Sequence, residues 1–171
     1  MSNDITLDDL DNLDLGIFSG SSKCPSEILA YLAGIIDGEG CISILSQKRS
    51  GSGNKCHFLS IKCSMRDAPA INLLGQIFGG MCKPCAGKNK NDPNDIFYIW
   101  SVATVSAYNC LVQLVPYLRV KKYQAMVGIA FQKDCFIDNC YGNKEVPENQ
   151  LALREAYKNE LMRLKKVWLK S

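Results

Sequence analysis

At 171 residues, 47% of them apolar, the chain is long enough for one domain with a core and too apolar for global disorder. No apolar run approaches a membrane span and no basic-then-apolar segment opens the sequence, so a membrane role is not expected and an intracellular setting is (chloroplast, mitochondrion or bacterial cytoplasm). The net charge of +3 conceals an asymmetry: residues 1–23 hold five aspartates against one lysine, and the remainder holds 19 basic and 12 acidic side chains, a profile that suits a nucleic-acid partner.

Residues 1–23 are expected to form a flexible acidic extension, and residues 24–171 a single domain. Ser26 is a candidate cap for the first helix. Leu29, Leu32, Ala33 and Ile36 recur at helical spacing, which predicts a buried helix stopping at a turn made by Asp37-Gly38-Glu39-Gly40. Small residues at Ala33 and Gly34 would let a second backbone approach closely. Two carboxylates at the negative end of a helix are unfavourable unless a cation offsets them, so the segment points to a divalent-metal site. Asp37 has a second reading, in which it ends the helix by accepting backbone N–H bonds.

Two strands follow, Cys41 to Lys48 and His57 to Met65, around a Ser- and Gly-rich loop. In the second, Phe58, Ser60, Lys62 and Ser64 alternate with Leu59, Ile61, Cys63 and Met65, which predicts a half-exposed antiparallel sheet. Asp67 is expected to cap a helix with Pro69 in its first turn, ending at Gly79-Gly80. Met81 to Cys85 and Asp95 to Ala103 form a second hairpin across a Lys-rich loop. Helices are then expected from Thr104 or Ser106 to Leu114, from Lys122 to Phe131, and from Glu148 to Leu169. The last has Leu153, Ala156, Tyr157, Leu161, Leu164 and Trp168 on its apolar side. Nine cysteines without a regular framework read as small buried residues.

The stretch Leu32-Ala33-Gly34-Ile35-Ile36-Asp37-Gly38-Glu39-Gly40 resembles the signature of the LAGLIDADG homing endonucleases. Leu114 to Ala125 is similar to the segment that carries a basic residue in members with one signature. The resemblance covers roughly residues 26–135. It implies an α+β fold, an αββαββα core with a saddle-shaped antiparallel sheet, here with additional C-terminal helices. It also implies a homodimer that cuts both strands of a long pseudo-palindromic site, using Mg2+, with Mn2+ or Ca2+ able to occupy the same place.

On that resemblance Glu39 ligates metal with the Gly38 carbonyl, Lys121 is the basic catalytic residue, and Asp37 and Met65 stand beside the metal. Met65 occupies a position where many single-signature members carry Gln, and a thioether is a poor magnesium ligand. Leu32, Ala33, Gly34 and Ile36 would form the dimer interface. DNA contacts are expected from Ser43, Gln47, Lys48, Arg49, Lys55, His57, Ser60, Lys62 and Ser64 on the first hairpin. The second would add Lys83, Lys88, Lys90, Tyr98 and Trp100, some reading bases and others only phosphates. Trp100 also reads as a core residue.

Two rival readings use the same residues. One is an RNA maturase or an inactive DNA-binding protein on the same fold, with intron RNA as partner. The other is a zinc module on Cys82-Lys83-Pro84-Cys85, completed by Cys56, His57 or Cys63.

Overall fold

The computed structural model describes residues 24–48, 55–87, 95–137 and 146–167. The acidic extension, Arg49, Lys88, Lys90 and Trp168 lie outside these residues. In chain order the elements are α1 (Ser26–Glu39), β1 (Gly40–Lys48), β2 (Lys55–Met65), α2 (Ala68–Phe78), β3 (Met81–Ala86) and β4 (Ile96–Ala103). Helices α3 (Thr104–Leu114) and α4 (Lys122–Gln132), a π turn (Lys133–Ile137) and α5 (Glu148–Val167) complete it. This is the expected α+β order. No helix among the described residues is long and apolar enough to cross a membrane.

The four strands form one antiparallel sheet in the order β1-β2-β4-β3. Its two hairpins therefore meet along β2 and β4, and β1 and β3 are the edges. Ile42, Ile44, Leu59, Ile61, Cys63, Trp100 and Val102 lie on the face covered by the helices, in the main hydrophobic core. The other face carries Cys41, Ser43 and Gln47 of β1, Ser60, Lys62 and Ser64 of β2, and Lys83 of β3. Register fixes this, because Ser43 pairs with Ser60, Cys41 with Lys62, and Lys62 with Ser101.

Helix α4 lies in the middle of the layer behind the sheet: every residue from Gln124 to Gln132 is buried. A helix apolar on all sides belongs in an interior. Gly128 lets it settle there, since a Cβ would stand 2.9 Å from Leu59 Cδ1 and 3.0 Å from Leu111 Cδ1. Helix α2 begins as expected, with Asp67 Oδ2 accepting from the Ala70 N–H at 3.1 Å. It turns into β3 through Gly79 and Gly80, both at positive φ.

Helix α1 differs from expectation at both ends. Ser26 makes no capping bond, and Pro25 stands at the N-cap. At the other end the helix does not stop before Asp37. It runs through Glu39 and passes directly into β1 at Gly40, with no turn between. Side chains from elsewhere in the chain stabilise that last helical turn.

Candidate metal centre and nucleic-acid interface

The end of α1 is built from a loop 82–84 residues away in sequence. The Asp37 carboxylate accepts backbone N–H bonds from Arg119 (2.7 Å), Val120 (3.2 Å) and Lys121 (2.8 Å). This is a tertiary version of the backbone-accepting role, since the donors belong to the segment leading into α4. In return, the Lys121 ammonium donates to the carbonyls of Ile36 (2.9 Å), Asp37 (2.5 Å) and Gly38 (3.4 Å). A lysine at this place neutralises the carbonyl end of the helix, adding a second donor to the Ile36 carbonyl, which already accepts the Gly40 N–H, and serving the later carbonyls of Asp37 and Gly38. Burial pulls the Lys121 pKa below the ordinary lysine value, against the opposing pull of Asp37, Cys41, Cys63 and Glu39.

Glu39 shares in this only through its charge. It is exposed on the last turn of α1, two residues beyond Asp37, and makes no hydrogen bond or ion pair among the described residues. The two carboxylates of the signature thus have different employment, one consumed by the fold and one free. Gly38 is exposed, and its long bond to Lys121 leaves carbonyl capacity for a further cation. Carboxylate and carbonyl oxygens are the hard donors that magnesium and calcium take. One chain does not complete a cage: among the described residues no three His, Cys, Asp or Glu side chains gather as a metal cluster. The donor set therefore fits an ion shared with phosphate oxygens or a second chain.

Several expected DNA contacts are corrected by the pleat. His57 is in phase with Leu59 and Ile61, so it faces the helices. It is 1% exposed, and its Nε2 lies 2.8 Å from Glu155 Oε2 of α5. Burial lowers its pKa, against the raising effect of Glu155. Lys55 is on the same side and pairs with Glu155 at 2.8 Å. Trp100, fully buried, donates its indole N–H to the Gly79 carbonyl at 2.7 Å. Tyr98, opposite Met65, packs with it against the core. Lys48 is exposed at the end of β1, opposite Lys55 and in its phase. Ser43, Gln47, Ser60, Lys62, Ser64 and Lys83 remain on the open face.

Three of the four expected dimer residues are corrected too, and Gly34 alone of them is exposed. Leu32, Ala33 and Ile36 are fully buried in the chain's own core. The exposed side of α1 runs through Glu27, Tyr31, Gly34 and Gly38, and a Cβ at either glycine would meet nothing within 4 Å. The zinc reading fails on the same register. Cys82 pairs with Trp100 and Cys85 with Phe97, on opposite faces of β3, and the Cys82 thiol instead lies 3.5 Å from the Ile71 carbonyl.

Sequence reasoning missed the contribution of α5 to the open face. Lys165 reaches round the free edge of β1 and donates to Ser43 Oγ at 2.9 Å and to Cys41 Sγ at 3.4 Å. Nothing in the sequence pairs residue 165 with residue 43.

The model of the LAGLIDADG endonuclease family matches residues 32–133. No curated protein matches the chain. Among solved structures, the homing endonuclease I-CvuI in complex with DNA in the presence of Mg superposes with a TM-score of 0.62 at 20% identity, covering 80% of each chain. The archaeal intron-encoded homing endonuclease I-Vdi141I, also complexed with DNA, gives 0.60 at 16% identity over 80% of this chain and 82% of its own. The homing endonuclease I-TnaI gives 0.55 at 16% identity over 83% and 96%. At these identities the likenesses show a shared fold.

Proposed function

The chain belongs to the LAGLIDADG endonuclease family, and from that premise we propose that it is a site-specific double-strand DNA endonuclease. It works as a homodimer on a long pseudo-palindromic site, by metal-dependent phosphodiester hydrolysis. The observation that carries this is the division of labour at the end of α1, where Asp37 is tied into the fold and Glu39 is free.

Glu39 and the Gly38 carbonyl would hold a divalent cation, Mg2+ in the first instance. Such an ion, when bound, polarises the phosphate and promotes water as nucleophile. The protein's own part is positional. Asp37 fixes residues 119–121, and Lys121 in turn holds the α1 carbonyls that lead up to Glu39, so an ammonium would stand beside the place where charge develops. Lys62, Lys83, Gln47 and the serines of the open face would meet phosphates and base edges.

A single signature helix gives one free Glu39 per chain, and cutting two strands calls for two. The exposed stripe of Tyr31, Gly34 and Gly38 suits a second copy of α1 packed closely across a two-fold axis. Gly34→Leu tests it: the added side chain has room in the monomer and is expected to turn a dimer into a folded monomer in sedimentation. A Gly34→Leu protein that stays dimeric would place the interface elsewhere.

The test of the activity uses DNA in which the sequences on either side of the element carrying this reading frame are joined. With Mg2+, double-strand cleavage at the junction is expected, and Glu39→Gln should lower the rate at least about a hundredfold while preserving binding. Tight binding with no cleavage by the wild type would instead make the protein a non-cutting DNA binder.

A further inference from the structure

We propose that Lys165 is a phosphate-binding residue of the DNA interface, and that α5 thereby extends the open face of the sheet around the edge of β1. The proposal rests on the DNA-endonuclease reading and adds an element to it that lies beyond the family match at residues 32–133.

Helix α5 lies behind the sheet for most of its length, with Tyr157, Leu161 and Leu164 buried in the core. Lys165 is where it changes sides. Its ammonium lies against Ser43 Oγ and Cys41 Sγ, which belong to the open face. Cys41 is two residues past Glu39 and directly opposite Lys62. Three lysines from three elements surround this corner: Lys62 of β2 opposite Cys41, Lys121 on the carbonyls of the last α1 turn, and Lys165 of α5 on Ser43 and Cys41.

The other α5 lysine that reaches β1, Lys158, has its charge offset within its own helix, since it pairs with Glu155 at 2.8 Å as well as meeting Ser46. Lys165 has no carboxylate partner among the described residues, only a hydroxyl and a thiol. Those neutral acceptors compete weakly with a phosphate oxygen, to which an ammonium makes a charge-assisted bond. Phosphate on Lys165 would also release the Ser43 hydroxyl to donate to the same backbone.

The test is the salt dependence of binding to a mixed-sequence DNA duplex, measured for wild type, Lys165→Gln and Lys165→Arg, with thermal melting of each. Each phosphate contact contributes about 0.9 to the slope of log affinity against log salt. Lys165→Gln is expected to flatten the slope by about 0.9 per chain, or about 1.8 for a symmetric pair, and Lys165→Arg to retain it. Wild-type protein that does not bind the duplex at low salt overturns the DNA reading and Lys165 with it. Wild type that binds while Lys165→Gln keeps the full slope overturns Lys165 alone, and a lowered melting temperature would then identify a pin. Lys165→Met, which keeps the apolar stem, serves if the glutamine variant does not fold; if neither folds, the residue is structural and the proposal falls.

Discussion

Two polar clusters fasten this molecule together, and they are made differently. At the end of α1, one carboxylate is met by three backbone N–H groups, and one ammonium by three backbone carbonyls. At the far end of the first hairpin, Glu155 of α5 gathers Lys55, His57 and Lys158, all side chains. A lone side chain that serves several backbone groups has no second side chain to replace it when it is lost. Three side chains sharing one carboxylate are partly redundant. The first cluster shapes the segment where the chemistry is proposed, and the second secures a helix against a hairpin.

The largest effect is expected at Asp37. Asp37→Ala strips three N–H groups of their acceptor, and a charged hydrogen-bond partner is worth about 1.5–3 kcal/mol. A loss of about 3 kcal/mol in a denaturant titration, together with loss of cleavage, is expected. If stability falls but the cleavage rate per folded molecule is unchanged, the cluster does not position the site.

Acid should act on the second cluster. Glu155 has its pKa lowered from 4.5 to about 2, by hydrogen bonds from Lys158, Lys55 and His57. A depressed carboxylate stabilises the fold above the unfolded value, and that contribution is lost as pH falls from 4.5 towards about 2. The lowered His57 acts in the same sense, because its buried neutral form is favoured and acid protonates the unfolded chain first. With a third of the Glu155 side chain exposed, screening reduces its worth to about 1 kcal/mol. Glu155→Gln should therefore be less stable than wild type at neutral pH, converge on it below pH 4.5, and cut DNA normally. A gap that persists at the lowest pH would assign the loss to packing.

Lys55→Met is the smallest case. Half exposed, with Lys158 and His57 still on Glu155, it is expected to change stability by less than about 0.5 kcal/mol. A cost as large as that of Glu155→Gln would show that the three partners act as one unit.

The sequence made the strongest periodic elements legible. The signature helix, the two hairpins, the Asp67 cap and the apolar side of α5 all follow from spacing and turn chemistry. The end of α1 did not, because glycine and aspartate favour a turn by local preference, and the contacts that outweigh it come from residues 119–121. His57 was misjudged by its chemical type although its phase with Leu59 and Ile61 was in plain view. Tyr98 and Trp100 lie in a strand without clean alternation, so only the pairing with β2 reveals their side. Sequence separates the Asp37 and Glu39 roles no further than two acids in one motif; the N–H donors that distinguish them are supplied by folding.

Gly40 is where α1 becomes β1 without an intervening residue. A Cβ there would stand 2.6 Å from the Ile36 carbonyl oxygen and 2.8 Å from the Ile36 Cα. The joint is therefore of zero length and closed against its own helix, with no slack to absorb a rotation. Glu39 adjoins the strand directly, so no linker residue separates the carboxylate proposed to hold the metal from the strand proposed to grip DNA.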